Sequence, residues 1–328
     1  MVYYISIYFL ISFLILILLS KIAYKFNLVD LPNKRKKHSK ATAYTGGIAL
    51  SFIYVISIFI FDVHIDKLNI ILSIAFLIGI IGFIDDKYDL NIGGKLSLQV
   101  LPITYLIIIE KLILNQIGNY YFFSLELNSF SIPFTLLCVL LLMNSFNYFD
   151  GIDGLLSILT ISVLCILYFL TANNEIKLFL ILILIPIFCY LFFNFSLFGL
   201  PKLFLGDSGS LLLGFIISFI LIYVGSQKLV HPILLAWSIS IFVYEFISIN
   251  IIRLMINKNP FKAGEDHLHH IILKKTKSTF QTNILIATIN ILLFTTGYLF
   301  FLSINPLASL ILFLFSFKIY FIIRNKYK

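Results

Sequence analysis

Residues 3–20 read YYISIYFLISFLILILLS, a run without one charged side chain. Such a run is close to the ~20 apolar residues with which a helix crosses a hydrocarbon core of roughly 30 Å. Lipid offers no water to the backbone, so the run must close its own hydrogen bonds as an α-helix. It is not read as a cleaved leader. No basic segment precedes it, no small-x-small site follows it, and it is longer than the usual apolar region of about 7–15 residues. The expectation is a retained helix.

The same pattern recurs along the 328 residues, which are 60% hydrophobic and 12% charged. Soluble domains carry about 25% charged residues. So few charges cannot cover a surface in water, so lipid must cover most of it. About eleven spans are expected. They lie near 3–20, 46–61, 68–84, 96–110, 131–146, 154–171, 178–194, 210–225, 232–256, 280–302 and 306–323. The expected fold is an all-α, polytopic integral membrane protein: one transmembrane domain over residues 1–328, without internal repeat or separate soluble domain.

Charge gives the orientation. Of the 24 Lys and Arg residues, 20 fall in one set of loops. Only Lys67, Lys111, Lys177 and Lys228 fall in the other. Basic loops stay in the cytoplasm, so the N-terminus is expected outside and the C-terminus inside. The net charge of +9 is therefore a topology signal first, with attraction to anionic headgroups or substrates as its second role. Nucleic acid is not an expected partner. Cys138, Cys165 and Cys189 lie within apolar runs and read as packing residues, with no disulfide or metal framework.

The acids follow the same side. Asp85, Asp86 and Asp89 end the third run, Asp150 and Asp153 the fifth, Asp207 the seventh and Asp266 the ninth. Each is in an inner loop by the Lys/Arg count, near 85–95, 144–154, 195–210 and 257–280; the basic loop near 21–46 is on the same side. Carboxylates at membrane depth are costly and mark function. Gathered together they repel, and a divalent cation relieves that repulsion. All-oxygen ligands suit Mg²⁺ or Mn²⁺. Lys95, Arg35 and the trio His267, His269, His270 offer cations to phosphates in the same place. Plainer readings stand beside these: Asp85-Asp86 as a helix-end turn, Gly206 to Ser210 as a helix cap, and Asn144 to Gly154 as a polar turn. The histidines could hold zinc, and Lys34 to Lys37 could be a lipid-facing basic loop.

Taken in order, these segments resemble the polyprenyl-phosphate N-acetylhexosamine-1-phosphate transferases. Asp30-Leu31-Pro32-Asn33-Lys34-Arg35-Lys36-Lys37-His38, followed by Gly46-Gly47, is similar to that family's first inner loop. Gly82 to Leu90, with Lys95 trailing, looks like its Asp-Asp motif, and Asn144 to Leu155 resembles its Asn-x-x-Asn-x-x-Asp-Gly-x-Asp-Gly-Leu signature. Phe204 to Ser210 and the loop ending His267-Leu268-His269-His270 complete the series. The interrupted histidines look more like the WecA/TagO-like branch than the MraY branch.

The resemblance implies transfer of a sugar-1-phosphate from a UDP-N-acetylhexosamine to undecaprenyl phosphate with Mg²⁺ or Mn²⁺, at the cytoplasmic face of the inner (plasma) membrane. It also implies roles. Asp85, Asp86, Asp150 and Asp153 would be catalytic, with Asp207 and Asp86 on the metal. Lys95, Asn144, Asn147, Arg253, His267, His269, His270, Arg35 and His38 would bind substrate. Glu245 departs from the family's usual Asp. A homodimer is one assembly compatible with this reading.

Three rivals make different demands. A transporter calls for charges near the midplane and broken helices in repeated halves. A scaffold gives no reason for inner-face acids. A CDP-alcohol phosphotransferase calls for Ala-Arg after its Asp-Gly, which Gly151 and Gly154 lack.

Overall fold

The computed structural model describes residues 2–31, 41–61, 63–259, 264 and 266–327. In chain order they form α1 (Val2–Lys25), β1 (Val29–Asp30), β2 (Thr42–Ala43), α2 (Gly46–Ile60), α3 (Asp66–Tyr88), α4 (Ile92–Ile108), β3 (Gln116–Asn119) and β4 (Ser124–Glu126). Then come α5 (Ser131–Phe149), α6 (Leu155–Leu170), α7 (Asn174–Asn194), α8 (Gly206–Ser226), α9 (Pro232–Ser238) and α10 (Ser240–Met255). The chain closes with α11 (Leu268–Thr276), α12 (Thr279–Ser303) and α13 (Pro306–Asn325). The strands make two small antiparallel pairs, β1 with β2 and β3 with β4.

Every apolar run read from the sequence is helical. Among the described residues seven helices are long and apolar enough to cross a membrane, or eight if the bent pair α9–α10 is one span. The runs of α2, α4 and α6 are shorter apolar helices. The chain is an all-α, polytopic integral membrane protein. Leu10, Leu14 and Leu18, one turn apart on α1, are 60%, 64% and 56% exposed. In water such a stripe would be an aggregation hazard, whereas lipid is its natural contact.

The chain clusters into two compact units, Met1–Pro102 with Asn173–Ile216, and Ile103–Ala172 with Ile217–Lys328. In the first, Pro186 interrupts α7. A proline lacks the N–H that would bond the carbonyl four residues earlier, here that of Leu182. The buried Tyr8 hydroxyl donates to that carbonyl at 3.0 Å, and Tyr54 donates to the next one, Ile183, at 3.1 Å. Side chains thus satisfy backbone that lipid could not.

At the other end of this unit, Gly46 and Gly47 donate to the carbonyls of Phe204 and Leu205 at 3.0 and 2.9 Å. A Cβ on Gly47 would stand 1.9 Å from the Gly209 nitrogen, and one on Gly82 would stand 2.4 Å from Ser208 Cα. Small residues let α2, α3 and α8 meet backbone to backbone.

The second unit contains the break. The ninth run, expected as one span, bends by 72° between α9 and α10. Asn290 of α12, wholly buried, repairs it: its amide donates to the Ser238 carbonyl at 3.1 Å and its Oδ1 accepts from the Ile241 N–H at 3.4 Å. α5 and α10 are joined by the stacked rings of Phe146 and Phe242, 4.2 Å apart, and by Ser145 Oγ donating to the Phe242 carbonyl at 2.7 Å. The transporter rival wanted breaks in repeated halves; one broken pair is present among the described residues.

Candidate functional site

In the first unit, α3 carries Asp85 and Asp86 to its C-terminus, where Asp89 in the left-handed region (φ 46°) closes the helix. Asn91 Oδ1 accepts the Gly94 N–H at 2.8 Å and starts α4, whose first turn holds Lys95. The Lys95 ammonium lies 2.6 Å from Asp85 Oδ2 and in direct contact with Asp207 Oδ2. Asp85 Oδ1 accepts the Leu90 N–H at 2.9 Å.

Asp86 is used differently. Its oxygens accept the N–H groups of Asp207 at 2.7 Å and Ser208 at 3.1 Å, so its carboxylate sits on the N-terminus of α8. Free amides and the helix dipole both favour an anion there. Gly206 makes room: its φ is +71°, and a Cβ would stand 2.6 Å from Asp86 Oδ2. Asp86 therefore fixes the turn that presents Asp207.

Two carboxylates, Asp85 and Asp207, share the one ammonium of Lys95, Asp86 lies behind the turn, and all the acidic donors are oxygens. That set fits Mg²⁺ or Mn²⁺. Asp207, whose side chain is 34% exposed, could hold such an ion, and Asp86 keeps lone pairs beyond its two amide bonds. Among the described residues no three His, Cys, Asp or Glu form a ready-made metal cage. Magnesium commonly does without one, taking one or two carboxylates plus substrate phosphates.

In the second unit, Asn144 and Asn147 stand on the last two turns of α5, and Asp150 caps it. Asn144 Nδ2 donates to the Leu140 carbonyl at 2.7 Å. Gly154, at φ +76°, opens α6, and the Asp153 carbonyl accepts Asn283 Nδ2 at 2.7 Å. The histidines meet this turn. A Cβ on Gly151 would stand 2.2 Å from His269 Nε2. The His267 and His269 rings lie parallel at 5.7 Å, and the Tyr148 ring is 4.8 Å from His267. His270 adjoins His269 at 4.2 Å.

Arg253 grips Asp266 with two bonds, Nε to Oδ2 at 3.0 Å and Nη2 to Oδ1 at 2.6 Å. That guanidinium holds the Asp266 carboxyl down to about 2. Burial, then the same guanidinium, push His267 down to about 4, and burial holds His269 well below its ordinary value. The sequence reading took these histidines as cations. Burial thus favours the uncharged rings of His267 and His269, which could donate or accept a hydrogen bond rather than supply charge.

Arg35 and His38 lie outside the described residues. Asp85, Asp86, Lys95 and Asp207 come together in the first unit. Asn144, Asn147, Asp150, Asp153, Arg253, His267, His269 and His270 all belong to the second. Sequence reasoning missed Asn283, the α11 helix, and the role of Glu245 and Arg324. An acid inside an apolar run demands a partner, and Glu245 was that signal; Arg324 had been counted only for topology.

Residues 68–225 match the model of glycosyl transferase family 4. The chain is 30% identical over 323 residues to the undecaprenyl-phosphate alpha-N-acetylglucosaminyl 1-phosphate transferase of Escherichia coli K12, covering 95% of this chain and 88% of that one. The proteins of the same name from Yersinia pestis and Pasteurella multocida Pm70 are 30% and 31% identical. Those matches cover 88% and 89% of this chain, and 81% and 84% of theirs.

Proposed function

From the premise that the chain belongs to glycosyl transferase family 4, we propose that it transfers N-acetylglucosamine-1-phosphate from UDP-N-acetylglucosamine to undecaprenyl phosphate. The products are undecaprenyl-diphosphate-sugar and UMP, and the step begins a cell-surface polysaccharide. The reaction takes place on the cytoplasmic face of the cell membrane. The observation that carries this reading is the Asp85–Lys95–Asp207 group, with Asp86 holding the turn behind Asp207.

An oxygen of the acceptor phosphate attacks the β-phosphorus of the nucleotide sugar. The new P–O bond forms as the bond to the bridging oxygen breaks, and UMP leaves with that oxygen. Three anionic phosphates converge, so neutralising charge is the main catalytic task. Mg²⁺ or Mn²⁺, when bound, would supply part of that neutralisation. Asp207 and Asp86 are the residues to hold it. Lys95 exchanges a carboxylate contact for a phosphate, and Asp85 keeps the ammonium aimed. A phosphate monoester has its second pKa near 6 and is mostly dianionic at neutral pH, so positioning matters more than a general base. Asp150 and Asp153 flank Gly151, against which His269 packs, and Asn144 and Asn147 stand on the helix that leads into it. With Arg253 and His267 they are the second unit's candidates for binding the nucleotide sugar.

The membrane setting has a physical reason. A long polyprenyl tail is insoluble in water, so its phosphate is met only at the interface, where helices end. The test is UMP release by the purified chain from a panel of UDP-sugars, with and without undecaprenyl phosphate and Mg²⁺. Release that needs neither lipid phosphate nor metal ends this reading.

A further inference from the structure

Glu245 of α10 and Arg324 of α13 are 1% and 3% exposed, and neither belongs to the groups assigned above. They form a two-point fork: Arg324 Nε donates to Glu245 Oε2 at 2.9 Å and Nη2 to Oε1 at 3.2 Å. The Tyr320 hydroxyl donates to Oε2 at 2.7 Å. The remaining bonds leave the pair and reach one strip of backbone. Glu245 Oε1 accepts the Leu268 N–H at 2.8 Å, and Arg324 Nη2 donates to the Asp266 carbonyl. The two residues therefore grip the chain on either side of His267.

Stability alone does not account for this arrangement. A buried ion pair can often be replaced by apolar residues of similar volume without loss, because desolvation cancels much of the attraction. What the fork adds is geometry. His267 is extended (φ −72°, ψ 153°) and its side chain makes no cap for α11. The first amide of α11 is satisfied from α10, across 23 residues of chain. The side chain of Asp266 is held in turn by Arg253, whose Nη2 lies 3.5 Å from His267 Nε2. Two arginine–carboxylate pairs thus converge on residues 266–268, one on the backbone and one on the side chains.

We infer that Glu245 and Arg324 are positioning residues for the histidine loop, so that the C-terminal helix sets the geometry of nucleotide-sugar binding. This rests on the reading of the loop as a nucleotide-sugar-binding element. Removing one partner alone leaves a buried charge and can unfold the chain. The decisive variant is therefore Glu245→Met with Arg324→Leu in the full chain, which keeps volume and leaves no unpaired charge.

Its unfolding should stay cooperative, with the midpoint lowered only by the Tyr320 hydroxyl and Leu268 N–H that lose an acceptor. Its amides at 266–276 should exchange hydrogen faster, and its KM for UDP-N-acetylglucosamine should rise by at least ~10-fold, with KM for undecaprenyl phosphate within about twofold. Arg324→Lys, which cannot serve both Glu245 oxygens and the Asp266 carbonyl, should fall between, and it carries the test if the double variant does not fold. Unchanged exchange at 266–276 overturns the inference whether or not the chain is a transferase. Faster exchange with an unchanged nucleotide-sugar KM also overturns it. Absence of UMP release by the unaltered chain overturns the transferase reading alone and leaves hydrogen exchange to decide this one.

Discussion

Gly206→Ala puts the acid cluster under direct strain. Gly206 has φ +71°, and an alanine held there costs roughly 1–2 kcal/mol in backbone energy. The added Cβ would lie 2.6 Å from Asp86 Oδ2 and 3.1 Å from its Cγ, so the carboxylate must move. Moving it lengthens or breaks its bonds from Asp207 N–H at 2.7 Å and Ser208 N–H at 3.1 Å. A hydrogen bond contributes about 0.5–3 kcal/mol according to the charge on its acceptor, so losing one brings the total to roughly 1.5–5 kcal/mol. Unfolding in mixed micelles would read that loss, and UMP release would read the displaced Asp207. Asp86→Asn removes one of the two acceptor oxygens from the other side. The double variant should therefore fall short of the sum of the singles by at least ~1 kcal/mol. Gly206→Ala with native stability and turnover, or strict additivity with Asp86→Asn, would refute the idea that Asp86 holds the α8 turn in place.

Four further outcomes are expected. Asp207→Asn should fold but lose turnover by at least ~100-fold, the scale of one electrostatic stabiliser, with a weakened Mg²⁺ response; an unchanged metal titration would remove Asp207 from the site. His269→Ala, at a position 1% exposed against Gly151, should raise the nucleotide-sugar KM or lower turnover and leave KM for lipid phosphate alone; unaltered kinetics would count against the histidine loop as a binding element. His267 falls from 6.5 to about 4 on folding, so the unfolded chain binds the extra proton and stability is complete only above about pH 6.5. The native protein should lose about 2 kcal/mol more than His267→Gln between pH 7 and pH 5, with the Asp266–Arg253 contribution lost only below about 3.8; equal losses would refute the burial argument. Single cysteines at Asn119 and Ser39 should label from opposite sides of the membrane with an impermeant reagent, and equal labelling of both in intact cells would refute the charge-based topology.

Much of this protein was legible without coordinates, because the bilayer reduces the options for a backbone to one. Each run from residues 3–20 onward had to be helical, and each is. The glycines and acids of Gly82 to Asp89 and Gly206 to Ser210 announced a site because charge is so rare elsewhere in the chain. Local energetics reach no further than neighbouring turns, and there the sequence stopped. The bend between α9 and α10 depends on Asn290, about fifty residues away. The bonds by which Asp86 takes up the amides at the start of α8, 121 residues along the chain, are written nowhere in its own segment. His267 and His269 read as cations until burial lowers their affinity for a proton. Glu245 finds its counter-charge 79 residues later, on the last helix. Charge state, cap and ion pair are properties of an environment, and that environment exists only once distant segments have packed.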